Sequence, residues 1–186
     1  MIQTEPIISS NCRVRYPDDF RIGAGSIVDD FCYFSTRIKV GKYCHVASGC
    51  AIAGGPVYSF SLGDYSSLSA GVKVWTTSND FVCDLITIIP EEVGDIRENI
   101  AGDVRLERCT GVGSNSVIMP NNHIPEGSVI GALSFVPAAY PFEPWTVYAG
   151  TPIRPIRSRD RQSVLMQLEQ YERVLEQAVV PASELR

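Results

Sequence analysis

The sequence predicts an all-β fold: a parallel β-helix of hexapeptide repeats, with an α-helix at its C-terminal end. Three observations lead there. From Val112 to Val136 the chain divides into blocks of six, VGSNSV, IMPNNH, IPEGSV and IGALSF, with an aliphatic residue leading at Val112, Ile118, Ile124, Ile130 and Val136. The same frame runs upstream through Ile22, Val28, Phe34, Val40, Val46 and Ile52, returns at Leu62, Leu68 and Val74, and appears once more at Leu106. From Arg159 the pattern becomes helical. A period of six fits neither a helix nor a simple strand. It suits very short strands joined by corners and stacked coil upon coil. A β-sandwich would instead alternate with period two and turn every 8–12 residues or so.

The fifth residue of each block belongs in a corner and is mostly small: Ser116, Asn122, Ser128 and Ser134 downstream, and Ser26, Cys32, Ile38, Cys44, Cys50 and Pro56 upstream. Fifteen such hexads make about five three-sided coils. Residues 1–20 read as a lead-in with a turn at Tyr16-Pro17-Asp18-Asp19, capping the open edge of the first coil. Gly54-Gly55-Pro56 breaks the frame, and the extra residues around Tyr58 to Ser61 are expected to bulge outward.

From Asp80 to about Asp103 the frame is lost, yet Leu85, Ile86, Ile88 and Ile89 are apolar. A stretch of this length is functional or loose. It reads as an arm reaching over a neighbouring subunit, or else as a flexible surface loop. Past Val136 come Pro137, Pro141 and Pro144. The helix then sets Val164, Leu165, Leu168, Tyr171 and Leu175 on one face, against Glu169, Glu172, Arg173 and Glu176 on the other. From Pro181 the chain reads as a frayed tail. The organisation expected is a β-helix domain over 1–157 with a loop insertion at 80–103, then a helix and tail over 158–186.

A net charge of −5 disfavours nucleic acid and anionic membrane as partners. No apolar run is long enough for a transmembrane helix, and the N-terminus lacks the basic and apolar regions of a secretory signal. Three of the six cysteines, Cys32, Cys44 and Cys50, occupy corner positions that want a small buried residue. There is no C-x-x-C pair and no His cluster, so no metal is expected. The thiols read as reduced and the protein as cytoplasmic.

The segment VGSNSVIMPNNHIPEGSVIGALSFV, followed by WTVYAGTPIRPIR, resembles the ending of the hexapeptide-repeat acyltransferases. IKVGKYCHVASGC and VKVWTTSNDF are similar to sugar O- and N-acetyltransferases of polysaccharide pathways. The resemblance covers about Ile22 to Arg157. It implies a left-handed helix, opposite to the general rule for parallel crossovers. It also implies a homotrimer, acetyl-CoA as co-substrate, and an active site in the groove between two subunits. The expected reaction is direct attack by the acceptor on the thioester, with no covalent intermediate, since no Cys or Ser stands in an evident pair with a base.

Many relatives place a catalytic His in the segment matching Thr76 to Phe81, where this chain has none. Asp80 is therefore a candidate for accepting a proton or holding an amine, or else a carboxylate that caps a turn. Asn79 beside it is a candidate for orienting the acceptor. Trp75 points outward at the same edge, toward a subunit interface or a sugar ring. His45, in KYCHVAS, is similar to a His near the acetyl group in N-acetyltransferases acting on nucleotide amino sugars, and is the other catalytic candidate. His123 reads as a surface or trimer residue. The positions matching the family's CoA contacts are Gly113, Ser114 and Ala132, with Arg154 and Arg157 for its phosphates. Pro137-Ala138 stands where many relatives have Thr-Lys.

The acceptor expected is a small molecule, a nucleotide-linked amino or deoxy sugar. The alternatives are a non-sugar acceptor, or a non-catalytic β-helix acting as a scaffold or binding module. A carbonic anhydrase on this fold needs three His ligands, and the chain has two His.

Overall fold

Most hexads form a strand of two or three residues that begins just after the small corner residue, while two long strands, Tyr33–Val40 and Ala51–Leu62, continue through a corner. The computed structural model describes residues 4–94 and 96–179, and the predicted tail from Pro181 lies outside them. Three parallel faces result. The first carries Ile7–Ile8, Ile27–Val28, His45–Val46, Ser67–Leu68, Gly111–Val112, Val129–Ile130 and Thr146–Ala149. The second carries Arg13–Val14, the start of Tyr33–Val40, the start of Ala51–Leu62, Lys73–Trp75, Val117–Ile118 and Phe135–Val136. The third carries Phe20–Ile22, the ends of the same two long strands, Val104–Leu106 and Asn122–Ile124.

The repeated aliphatic residues fill the axis. Apart from half-buried Ile22, all of them are at most 3% exposed. Burying each is worth about 1.5–3 kcal/mol. Corner hydroxyls tie one coil to the next: Ser26 Oγ donates to Gly41 O at 2.8 Å and accepts from Cys44 N at 2.9 Å. Ser116 Oγ does the same with Gly131 O and Ser134 N, at 2.9 and 3.2 Å.

Two expectations need correction. The lead-in is itself a coil, since Ile7–Ile8, Arg13–Val14 and Phe20–Ile22 pair in register with the coil above. Ile8, Val14 and Ile22 stand opposite Val28, Phe34 and Val40, and the 3-10 turn Pro17–Asp19 supplies the two residues by which the spacing from Val14 to Ile22 exceeds six. The bulge also falls earlier than expected. Ser35 pairs with Ala53, Thr36 with Gly55 and Arg37 with Ser59, so Gly54, Pro56, Val57 and Tyr58 are the extra residues and Pro56 is an exposed bulge residue.

At the C-terminal end Tyr140, Phe142 and Tyr148 close the core edge to face, with centroids 4.9–5.9 Å apart. Arg154–Ser158 turns back antiparallel on Thr146–Ala149 and ends the first face. The helix α1 (Arg161–Val179) is started by Asp160, whose carboxylate accepts from Ser163 N at 3.0 Å. It lies on the corner between the third and first faces. Tyr171 meets Tyr43 and Tyr65 edge-on, and the Tyr65 hydroxyl donates to Glu172 at 3.0 Å.

Candidate active site

The chain after Trp75 leaves the coil through a short antiparallel pair, Thr77–Ser78 with Ile100–Ala101, and everything between forms the arm. Buried Thr76 anchors its root. Thr76 N donates to Ala53 O and Gly102 N donates to Thr76 O, at 2.8 and 3.0 Å. Asp84 then holds the two limbs together, because its carboxylate accepts from Asp80 N at 2.7 Å and from Glu98 N at 3.0 Å. Asp84 escaped sequence reasoning: nothing distinguishes one loop carboxylate from the next until its backbone partners are seen.

Asp80 Oδ1 accepts from Val82 N at 2.9 Å. That is the turn-capping geometry of an Asx-turn, and it fixes the direction of the carboxylate. Asn79 Nδ2 is buried and has no hydrogen-bond partner among the described residues. Leaving such a donor unpaired costs about 1–3 kcal/mol. Its position at the arm's root, four residues after half-buried Trp75, fits a donor kept for a group from outside the chain. Apart from half-buried Ile89, the arm's large apolar side chains face solvent, with Phe81 78%, Val82 91% and Ile88 92% exposed.

The opposite edge of the second face carries the residues expected to hold CoA. A Cβ on Gly113 would lie 2.3 Å from Ala132 N, so this glycine is required for the coils to stack. A Cβ on Gly131 would meet that of Ala149 at 3.0 Å, and Arg154 pairs with Ala149. Gly113, Ser114, Ala132 and Arg154 thus form one low edge that runs toward a guanidinium. Arg157, opposite Val147, lies farther along the same terminal strand, and both arginines are exposed. A low edge with cations at its end suits a thin pantetheine chain and its phosphates. Arg159 serves the fold instead. It donates to Cys109 O and Gly127 O, and its guanidinium lies 5.9 Å from the Trp145 ring.

His45 lies on the first face and bonds Asp29 through Nε2 at 2.8 Å. It is two rungs below Gly111 and is separated from Asp80 by the second face, so a single chain does not bring the two catalytic candidates together. His123, on the third face, bonds Glu107 at 2.8 Å. Burial pushes the Glu107 carboxyl up, but the bonds from His123 and Glu126 N prevail and hold it below its ordinary value. No group of three or more metal-ligating side chains gathers among the described residues.

No protein-family model matches the chain. A curated Escherichia coli protein, dTDP-4-amino-4,6-dideoxy-D-glucose acyltransferase, is 30% identical over 157 residues, covering 82% of this chain and 77% of its own length. The chain belongs to the hexapeptide-repeat sugar acyltransferases. A solved structure of a variant of AntD, an N-acyltransferase from Bacillus cereus, with dTDP-4-amino-4,6-dideoxyglucose and coenzyme A, matches this acyltransferase with a TM-score of 0.80 and 29% identity. The match covers 90% of this chain and 88% of that one. AntD with dTDP and 3-hydroxybutyryl-CoA gives 0.78 and 28%, over 91% and 88%. A hexapeptide-repeat acetyltransferase from Vibrio cholerae shares the fold at 0.50 and 19%, over 84% and 72%. The architecture is the left-handed β-helix of these enzymes.

Proposed function

We propose that this acyltransferase moves an acyl group from acyl-CoA to the amino group of a nucleotide-linked 4-amino-4,6-dideoxy sugar. The observation that carries the reading is the unpaired Asn79 amide at the root of the arm. A buried donor that the chain leaves open calls for an acceptor from outside it, water or ligand, and we assign it to the sugar. The E. coli relative is named for such an acceptor, and AntD was solved with one.

The two candidate edges lie on opposite sides of the second face, so the reaction uses two copies of the chain. In our reading the arm's exposed apolar residues cover the neighbouring copy in a homotrimer. The edge of Gly113, Ser114 and Ala132 holds the pantetheine, and Arg154 and Arg157 meet the phosphates. Acyl-CoA would supply the activated thioester when bound. Asn79 and Trp75 orient the sugar, and Asp80, its direction fixed by the turn, receives a hydrogen bond from the amine. His45, its ring held by Asp29, takes the proton from across the groove. The nitrogen forms its bond to the carbonyl carbon, the carbon–sulfur bond breaks, and the leaving sulfur takes the proton back from His45 and departs as the free thiol. The six free cysteines fit a reducing cytoplasm, where acyl-CoA and nucleotide sugars for surface polysaccharide are made.

The test is thiol release from acetyl-CoA and from 3-hydroxybutyryl-CoA across a panel of nucleotide sugars. Saturable turnover with a dTDP-linked 4-amino sugar is expected. Turnover with non-sugar amines alone would overturn the reading.

A further inference from the structure

A trough of about 340 Å³ lies on the third face, over the first three coils. Its contents change in order along the β-helix axis. Nearest the arm, on the third coil, are Ser59 and Ser61. Ser59 is held by Asp103 at the arm's return, which accepts from both its N–H and its hydroxyl at 2.7 and 2.9 Å. One coil down lie Arg37 and Lys39, and on the first coil Arg21 with Asp18 and Asp19. Each coil is a step of about 4.8 Å.

The three cations gather on one face of a chain whose net charge is −5. All are exposed, and none has a carboxylate partner among the described residues. Arg21 and Arg37 donate only to the main-chain carbonyls of Phe20 and Val57. The Val57 contact turns Arg37 toward the bulge and leaves its remaining N–H groups available. Asp18 and Asp19 line the same trough, and neither forms an ion pair with these cations.

We infer that this trough is the acceptor's nucleotide subsite, in which Arg21, Arg37 and Lys39 bind the diphosphate. The inference rests on the proposed acceptor class. With the acyl carrier on the C-terminal coils and the amine at the arm's root on the fourth coil, the rest of the acceptor extends over the N-terminal coils. The order of side chains matches the order of groups in a nucleotide sugar. Serine hydroxyls face the hexose, cations face the two phosphates, and carboxylates accept from the O–H and N–H donors of the nucleoside. Charge-assisted bonds from guanidinium and ammonium to phosphate are the strong kind.

CoA also carries a diphosphate, so the experiment separates the two sources. The intact protein and an Arg21→Ala/Lys39→Ala double variant are titrated calorimetrically with dTDP and, separately, with CoA. Arg173→Ala on the outer helix serves as a control. The expected result is a dTDP Kd raised roughly tenfold or more, with CoA affinity held within about twofold. In steady state the acceptor KM rises and the acyl-CoA KM does not. Unchanged dTDP affinity, or an equal loss for CoA, overturns the assignment. So does dissociation of the oligomer, which would make the cations a subunit contact. Loss of dTDP binding in the double variant, with no turnover of any nucleotide sugar by the unaltered protein, keeps the diphosphate site and removes the proposed activity.

Discussion

The hydroxyls of Thr36 and Thr76 meet at 3.2 Å inside one corner, although 40 residues separate them. Thr36 also donates to Tyr58 O at 2.7 Å, so the second coil, the bulge and the root of the arm share one buried polar junction. Gly54 passes between them. A Cβ there would stand 2.1 Å from Thr76 Oγ1 and 2.6 Å from Thr77 N, at a φ of +151°.

Gly54→Ala therefore strains the backbone and forces the junction apart. It is expected to cost about 1–3 kcal/mol and to lower Tm by several degrees, read by circular dichroism. Gly55, at φ +83° with nothing near its would-be Cβ, is the comparison. Gly55→Ala should cost less, about 1 kcal/mol. Equal losses at the two positions would contradict the junction.

Glu107 gives the acid limb of stability a recognisable component. Its carboxyl is held below the ordinary value, 4.5, by His123 and Glu126 N despite burial. A depressed carboxylate contributes stability that is complete above its unfolded pKa and is lost as pH falls through the lowered folded one. Glu107→Gln should therefore destabilise at neutral pH and flatten the fall of Tm between about pH 6 and about pH 3. Parallel profiles for variant and parent would remove this carboxylate from the account.

The repeat was legible because a buried axis demands an aliphatic residue at every sixth place, and Val28 to Val136 meet that demand. The first coil was hidden because the Pro17–Asp19 turn displaces its frame, and the bulge was placed late because hexads cannot say where surplus residues leave a strand. Asn79 and the Gly113–Ala132 edge were suggested by resemblance to known enzymes, and Trp75 by its place after the inward Val74. Asp84 could not, since its role lies in two backbone partners contributed from opposite limbs of the arm.

Thiol chemistry reports on the arm. Burial pushes the Cys44 and Cys109 thiols up, away from reaction, whereas Cys83 is exposed on the arm. A maleimide at neutral pH should label Cys83 first, seen by peptide mass. If the arm covers a second copy, labelling slows as protein concentration rises. A rate independent of concentration, across the range where the oligomer forms, would contradict that docking.

His45→Ala removes the proposed proton acceptor from across the groove. The expected loss in kcat is about 10²-fold, with acyl-CoA binding unchanged by calorimetry. An unaltered kcat would assign the proton to another group. Arg154→Ala should do the reverse, raising the acyl-CoA KM roughly tenfold while sparing the acceptor KM.

The most direct measurement is the mass of the product formed from dTDP-4-amino-4,6-dideoxyglucose and acetyl-CoA or 3-hydroxybutyryl-CoA, with Asn79→Ala run alongside. The account predicts a nucleotide sugar heavier by one acyl group, formed with release of one thiol per product. It also predicts a markedly slower reaction in the variant, with its CoA binding intact. A nucleotide sugar of unchanged mass after prolonged incubation with both acyl donors, from a folded protein that binds CoA, would contradict it.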